Sequence, residues 1–220
     1  MRTKLLLAAA AIVAAGAFSA MAQSNVYSLN IVGYVNVGVT NGRLHLLSNP
    51  LKPSNGDYNI TNTIKLQDPG SDATTLFQWN QGTSSWDAYD WFDGFGWFPD
   101  APQNLGKGFF LKPTFTQTIT LVGEVQTGNS TNTISGALSL LGSTVPVAGP
   151  QPGGAVGHDS DTIFTWDVAG NQWISYDYFD GYGWFDNNSS ETNGPSLKVA
   201  EGFFYKNTGG SLNWIQTLNP

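Results

Sequence analysis

The chain has no cysteine among its 220 residues. This excludes disulfides, thiolate metal sites, a cysteine nucleophile and a lipoprotein-type lipid anchor. Charge is scarce too: 9 basic and 16 acidic residues amount to 11% of the chain, with a net charge of −7. An acidic balance of this kind argues against nucleic acid, whose binding rests on neutralising phosphates, and against adsorption to anionic lipid headgroups. His45 and His158 are the only histidines, and neither stands in an H-E-x-x-H pattern. No G-x-S-x-G elbow, phosphate loop or dinucleotide fingerprint occurs. After residue 18 no run is apolar enough for a membrane helix, and no stretch places apolar residues at helical spacing.

At the N-terminus, Arg2 and Lys4 precede an apolar run from Leu5 to Phe18, and Ala20-Met21-Ala22 offers a small-x-small cleavage site. This is the pattern of an export signal. Its removal leaves 198 residues and moves the net charge to −9, because Arg2 and Lys4 are lost with it. The expected product is secreted, to the extracellular space, the cell surface or the periplasm, with no membrane insertion after cleavage.

The most informative feature is a long internal repeat. Thr75-Leu76-Phe77-Gln78-Trp79, Trp86 and Tyr89-Asp90-Trp91-Phe92-Asp93-Gly94-Phe95-Gly96-Trp97-Phe98 come first. They return 87 residues later as Thr162-Ile163-Phe164-Thr165-Trp166, Trp173 and Tyr176-Asp177-Tyr178-Phe179-Asp180-Gly181-Tyr182-Gly183-Trp184-Phe185. Outer blocks repeat at an offset of 94: Leu44 to Leu47 with Leu138 to Leu141, and Gly108-Phe109-Phe110 with Gly202-Phe203-Phe204. Between these blocks lie loops of unequal length, expected on the surface. Short apolar or alternating runs separated by Gly, Pro, Asn and Asp predict an all-β protein. Two tandem β units follow from the repeat, forming either a pseudo-two-fold sandwich or barrel or two small β domains. The divisions are residues 1–22 as signal, 23–126 as N-terminal strand and first repeat, and 127–220 as second repeat, with 126–132 as the junction. In the single-sandwich form the terminal strands would pair with each other. Left unsatisfied, they would instead pair with a neighbouring molecule by strand addition.

Each aromatic block reads as a hairpin turning at Asp-Gly. A two-residue turn would set Trp91 opposite Gly96 and Tyr178 opposite Gly183, so that a ring covers each glycine. Such a hairpin is aromatic on both faces, and one face would need a cover or a partner. Rings flanked by carboxylates suit a sugar-stacking surface, with Trp91, Trp97, Asp90, Tyr178, Trp184 and Asp177 as candidate ligand-binding residues. The competing reading is cross-strand packing of the same rings. Asp93 and Asp180 read as turn formers. A carboxylate pair present in both units does not resemble the unlike pair of a glycosidase, and no catalytic residue or cofactor is expected. Abundant oxygen ligands leave calcium open, although the D-x-[DN]-x-[DN]-G pattern is missing.

The mature start Val26-Tyr27-Ser28-Leu29-Asn30-Ile31-Val32-Gly33-Tyr34-Val35-Asn36-Val37 is the most specific part of a wider resemblance. It is joined by Leu46-Leu47-Ser48-Asn49-Pro50, Gly202-Phe203-Phe204-Tyr205-Lys206-Asn207 and Asn213-Trp214-Ile215. Together these segments resemble a group of uncharacterised secreted β-rich proteins of verrucomicrobial-type bacteria. The resemblance implies location and class, and it carries no activity or binding residues. Two functions are therefore expected: a structural or adhesive component of the cell surface or matrix that self-associates through terminal strands, or a soluble module binding polysaccharide through Trp and Tyr beside Asp and Asn.

Overall fold

The short apolar runs become strands in both repeats. The computed structural model describes residues 31–220 apart from 68, 136, 151–156, 189 and 220; the expected export signal and the start of the resembling segment, up to Asn30, lie outside the described residues. The first repeat contains β1 (Val32–Val39), β2 (His45–Ser48), a one-turn helix α1 (Ile60–Thr63), β3 (Ile64–Lys65), β4 (Thr75–Asn80), β5 (Ser85–Phe92), β6 (Gly96–Phe98), β7 (Gly108–Lys112) and β8 (Gln117–Glu124). The second contains β9 (Gly128–Ile134), β10 (Ala137–Gly142), β11 (Gly149–Pro150), β12 (Thr162–Asp167), β13 (Gln172–Phe179), β14 (Gly183–Asp186), β15 (Glu191–Thr192), β16 (Ser196–Leu197), β17 (Gly202–Asn207) and β18 (Leu212–Leu218).

Strand order repeats with the sequence. The large sheets run β2-β7-β4-β5-β6 and β10-β17-β12-β13-β14-β15, the small ones β1-β8-β3 and β9-β18, with β11 and β16 paired apart. Within each repeat a small sheet packs on a large one. Ile119, Leu121 and Val39 meet Leu76, Phe109 and Leu111 in the first. Ile134 and Trp214 meet Ile163, Phe203 and Tyr205 in the second. A third apolar layer joins the two large sheets back to back, with Leu46, Phe110, Leu140 and Phe204 at its centre. The fold is thus all-β, four sheets deep, with the repeats related by a pseudo-two-fold axis through that layer.

This stacking explains the Phe-Phe motif. A strand buried on one face alternates, whereas one buried on both faces is apolar throughout. In β7, Phe109 and Leu111 enter the core of the first repeat while Phe110 enters the shared layer. In β17, Phe203 and Tyr205 face inward and Phe204 faces the shared layer. The preceding glycines let the halves approach. A Cβ on Gly202 would lie 2.6 Å from the Leu47 carbonyl oxygen, and one on Gly108 would lie 2.9 Å from that of Leu141.

Reciprocal hydrogen bonds cross the axis. Trp79 Nε1 donates to Leu138 O (3.2 Å) and Trp166 Nε1 to Leu44 O (2.9 Å). Ser48 N donates to Ala200 O (2.9 Å), and Gly142 N to Gly106 O (3.1 Å). Asn132 adds a tie, donating from Nδ2 to Gly106 O and Gly142 O.

Three expectations are corrected. The terminal strands do not pair with each other: β1 pairs with β8 and β18 with β9, each inside its own repeat. The junction 126–132 is largely strand, because β9 supplies the partner that β18 needs. The loop between β2 and β4 is not confined to the surface, since Leu51, Ile60 and Ile64 are fully buried.

Candidate functional site

The two aromatic hairpins hold all six candidate binding residues. Each turns through three residues rather than two. Phe92 pairs with Gly96 and Trp91 with Trp97; Phe179 pairs with Gly183 and Tyr178 with Trp184. The turns close through Phe95 N to Phe92 O and Tyr182 N to Phe179 O, both 3.0 Å. Gly94 and Gly181 both take φ of 77°, which the second central position of a type II turn requires. The one-residue change of register pairs ring with ring across the strands, although in the first hairpin Trp91 Cζ3 still lies 3.9 Å from a Cβ built on Gly96. Trp91 and Trp97 lie 5.6 Å apart at 76°, and Tyr178 and Trp184 lie 5.3 Å apart at 56°. No atom stands within 4 Å of a Cβ built on Gly183, so no ring covers it.

These ring pairs face the cores. Trp97 and Trp184 are only 4% and 3% exposed, with Trp91 and Tyr178 packed beside them. The candidate carboxylates are structural acceptors. Asp90 Oδ1 accepts from Thr75 Oγ1, and Asp177 Oδ1 from Thr162 Oγ1, both at 2.7 Å. Asp93 binds the Gly70 and Ser71 N–H groups and Trp91 Nε1. In the second hairpin Asp180 uses its own N–H, which donates to Asp159 Oδ1 at 2.9 Å. Among the described residues no three His, Asp or Glu side chains gather in a way that could hold a metal ion.

The rings left outside are others. Phe95 at the first tip is 93% exposed, its neighbour Phe98 71%, and Tyr182 at the second tip 74%. Phe92 and Phe179 are partly exposed on the outer faces, and Phe179 contacts Phe185 at 5.6 Å. The doubly aromatic hairpin pattern anticipated an uncovered face, but choosing Trp and Tyr beside carboxylates picked rings that pack on the cores, while Phe95 and Tyr182 at the tips are the exposed ones.

At the pseudo-two-fold axis, Trp86, Phe110, Trp173 and Phe204 close a ring of aromatic contacts with centroid separations of 5.5 to 5.8 Å. Trp86 and Trp173 keep part of their surface open. With Trp79, Leu138 and Phe164 they line an apolar cleft of about 350 Å³.

The outer edge of β1 is a second open element. Val125 N–H donates to Ile31 O at 2.8 Å, so the odd-numbered residues of β1 bond to β8. By the alternation of an antiparallel ladder, Val32, Tyr34, Asn36 and Gly38 turn their backbone groups outward. No strand lies along that edge among the described residues. No described helix is long and apolar enough to cross a membrane. Comparison with protein-family models, curated proteins and solved structures returned no match.

Proposed function

We propose that this protein is a secreted, non-catalytic structural or adhesive component of the cell surface or extracellular matrix. The observation that carries the reading is the pair of hairpins, each holding one aromatic face in a core and projecting uncovered rings at its tip. A large exposed ring is costly to leave in water, and its recurrence in both repeats fits a contact surface. The reading also draws support from the open β1 edge, suited to strand addition, and from carboxylates occupied in turns and cross-strand bonds. Sugar stacking on Trp91, Trp97, Tyr178 and Trp184 is less well supported, because two of these rings are buried and the other two pack against them.

Expression with the native leader, followed by fractionation, tests this reading. The wild-type chain is expected outside the cytoplasm and retained with the cell surface or matrix. A Phe95→Ser, Tyr182→Ser variant is expected to fold and be released into the medium. A wild-type product found wholly free in the medium, or retained in the cytoplasm, would contradict the reading.

A further inference from the structure

The pseudo-two-fold axis generates two related clefts where the repeats meet, and they have diverged. The first, of about 210 Å³, is lined by Gln78, Trp79, Gln81, Gln103 and Lys107 among others. Its glutamines narrow it. Gln81 Nε2 donates to Ser139 Oγ at 3.1 Å, Gln78 Nε2 to Gln103 Oε1 at 2.9 Å, and Gln103 Nε2 to Lys107 O at 2.9 Å. In the second cleft the repeat offsets put Thr165, Val168 and Leu197 where Gln78, Gln81 and Gln103 stand, and His45 where Ser139 stands. Shorter side chains leave this cleft open, at about 560 Å³.

His45 forms part of its wall while being only 6% exposed. Its Nε2 accepts the Thr40 N–H at 2.8 Å, which assigns the proton to Nδ1. The Nδ1–H has no acceptor among the described residues; its counterpart Ser139 is bonded to Gln81, and Val168 offers nothing equivalent. The same cleft is lined by Asp167 and Glu201, by Lys198, and by Trp166, Ile174 and Val199 as apolar wall. Asp167 Oδ1 accepts the Ala169 N–H and Glu201 Oε2 the Lys198 N–H, which leaves each carboxylate one oxygen for a ligand.

We infer that this open cleft binds a neutral, polyhydroxylated ring of the pyranose class. A hydroxyl both accepts and donates, so it satisfies the histidine donor and the carboxylate acceptors together, while the apolar wall takes the ring's C–H face. An anion would meet Asp167 and Glu201, while a quaternary cation or a purely apolar ligand has no acceptor and would bury the Nδ1–H without a partner, which is costly. A few placed polar groups on an apolar wall, in a cavity of this volume, is the general form of a small-molecule site. The inference is independent of assembly, because the cleft lies away from the hairpin tips.

The test is NMR of the secreted chain labelled with ¹⁵N at its histidines. Methyl β-glucoside, methyl β-galactoside, methyl α-mannoside, methyl β-xyloside and N-acetylglucosamine are titrated to their solubility limits, with acetate and tetramethylammonium as charged probes. At least one sugar is expected to shift the His45 Nδ1 resonance saturably, while the charged probes do not. Val168→Gln, which restores the plug of the closed cleft, should weaken that binding about tenfold or more, the scale of one or two lost hydrogen bonds. His45→Ser should weaken the same sugar's binding comparably, read from Trp fluorescence. Gln81→Val, in the closed cleft, should leave the His45 response unchanged. No response to any sugar, a response to a charged probe instead, or a sugar response equal in Val168→Gln would overturn the inference.

Discussion

Asp161 is fully buried, yet four donors converge on its carboxylate. Tyr205 OH and His158 N bind Oδ2 at 2.7 and 2.8 Å, and Thr208 N and Oγ1 bind Oδ1 at 2.7 and 2.9 Å. Burial alone would raise its pKa, but the hydrogen bonds outweigh it and hold the group below the usual carboxylate range. Its stabilising contribution is therefore complete above the unfolded value of about 3.9 and is lost as pH falls through the folded value. Asp161→Asn turns an N–H₂ toward two donors and is expected to cost about 3 kcal/mol in urea unfolding. It should also flatten the acid limb of the stability profile. His45 works through the same sign at higher pH. Burial holds its pKa below the ordinary 6.5. Stability should therefore decline as pH falls below about 6.5, and His45→Ser should remove that part of the decline in urea melts. Nothing local in His158-Asp159-Ser160-Asp161 marks Asp161 as buried, because its partners Tyr205 and Thr208 are more than 40 residues away.

At the scale of elements, the strands that announced themselves were those with a buried apolar pattern. The apolar runs at Thr75 to Trp79, Gly108 to Leu111 and Gly202 to Lys206 are all strands. β9 stayed hidden because two of its inward positions are Ser130 and Asn132, leaving Ile134 as the apolar marker. Asn132 is inside because it ties backbone carbonyls of both repeats, a demand that only the assembled fold creates. The hairpins were legible as hairpins, but turn length shifts every partner by one; the local mark of the longer turn is the second glycine of each Asp-Gly-x-Gly run, Gly96 and Gly183, which take φ of 92° and 94°. Two substitutions probe these elements. Gly202→Ala would drive a Cβ into the Leu47 carbonyl, so a loss of about 2 kcal/mol is expected in chemical denaturation. Gly94→Ala places a side chain at a φ of 77° with open space around it, so the expected loss is about 1 kcal/mol, from backbone strain alone.

For the whole molecule, residues 31–220 form one compact unit, and the shared layer makes the repeats interdependent. Phe110 and Phe204 occupy related places in it and each touches both Trp86 and Trp173. Truncating either to Ala is expected to cost about 3–5 kcal/mol. Fluorescence and circular dichroism should still report one coincident transition; two separated transitions would mean that the repeats fold as independent domains. The duplication was readable from sequence, whereas the back-to-back stacking was not, since a doubly apolar strand does not reveal what covers its second face.

The most direct test of the assembly account is the molar mass of residues 23–220, measured by light scattering across a concentration series beside the Phe95→Ser, Tyr182→Ser variant. Mass that grows with concentration in the wild type, and grows less in the variant, is the expected result. A wild-type chain that stays monomeric at every concentration would contradict self-association through the aromatic tips and the β1 edge.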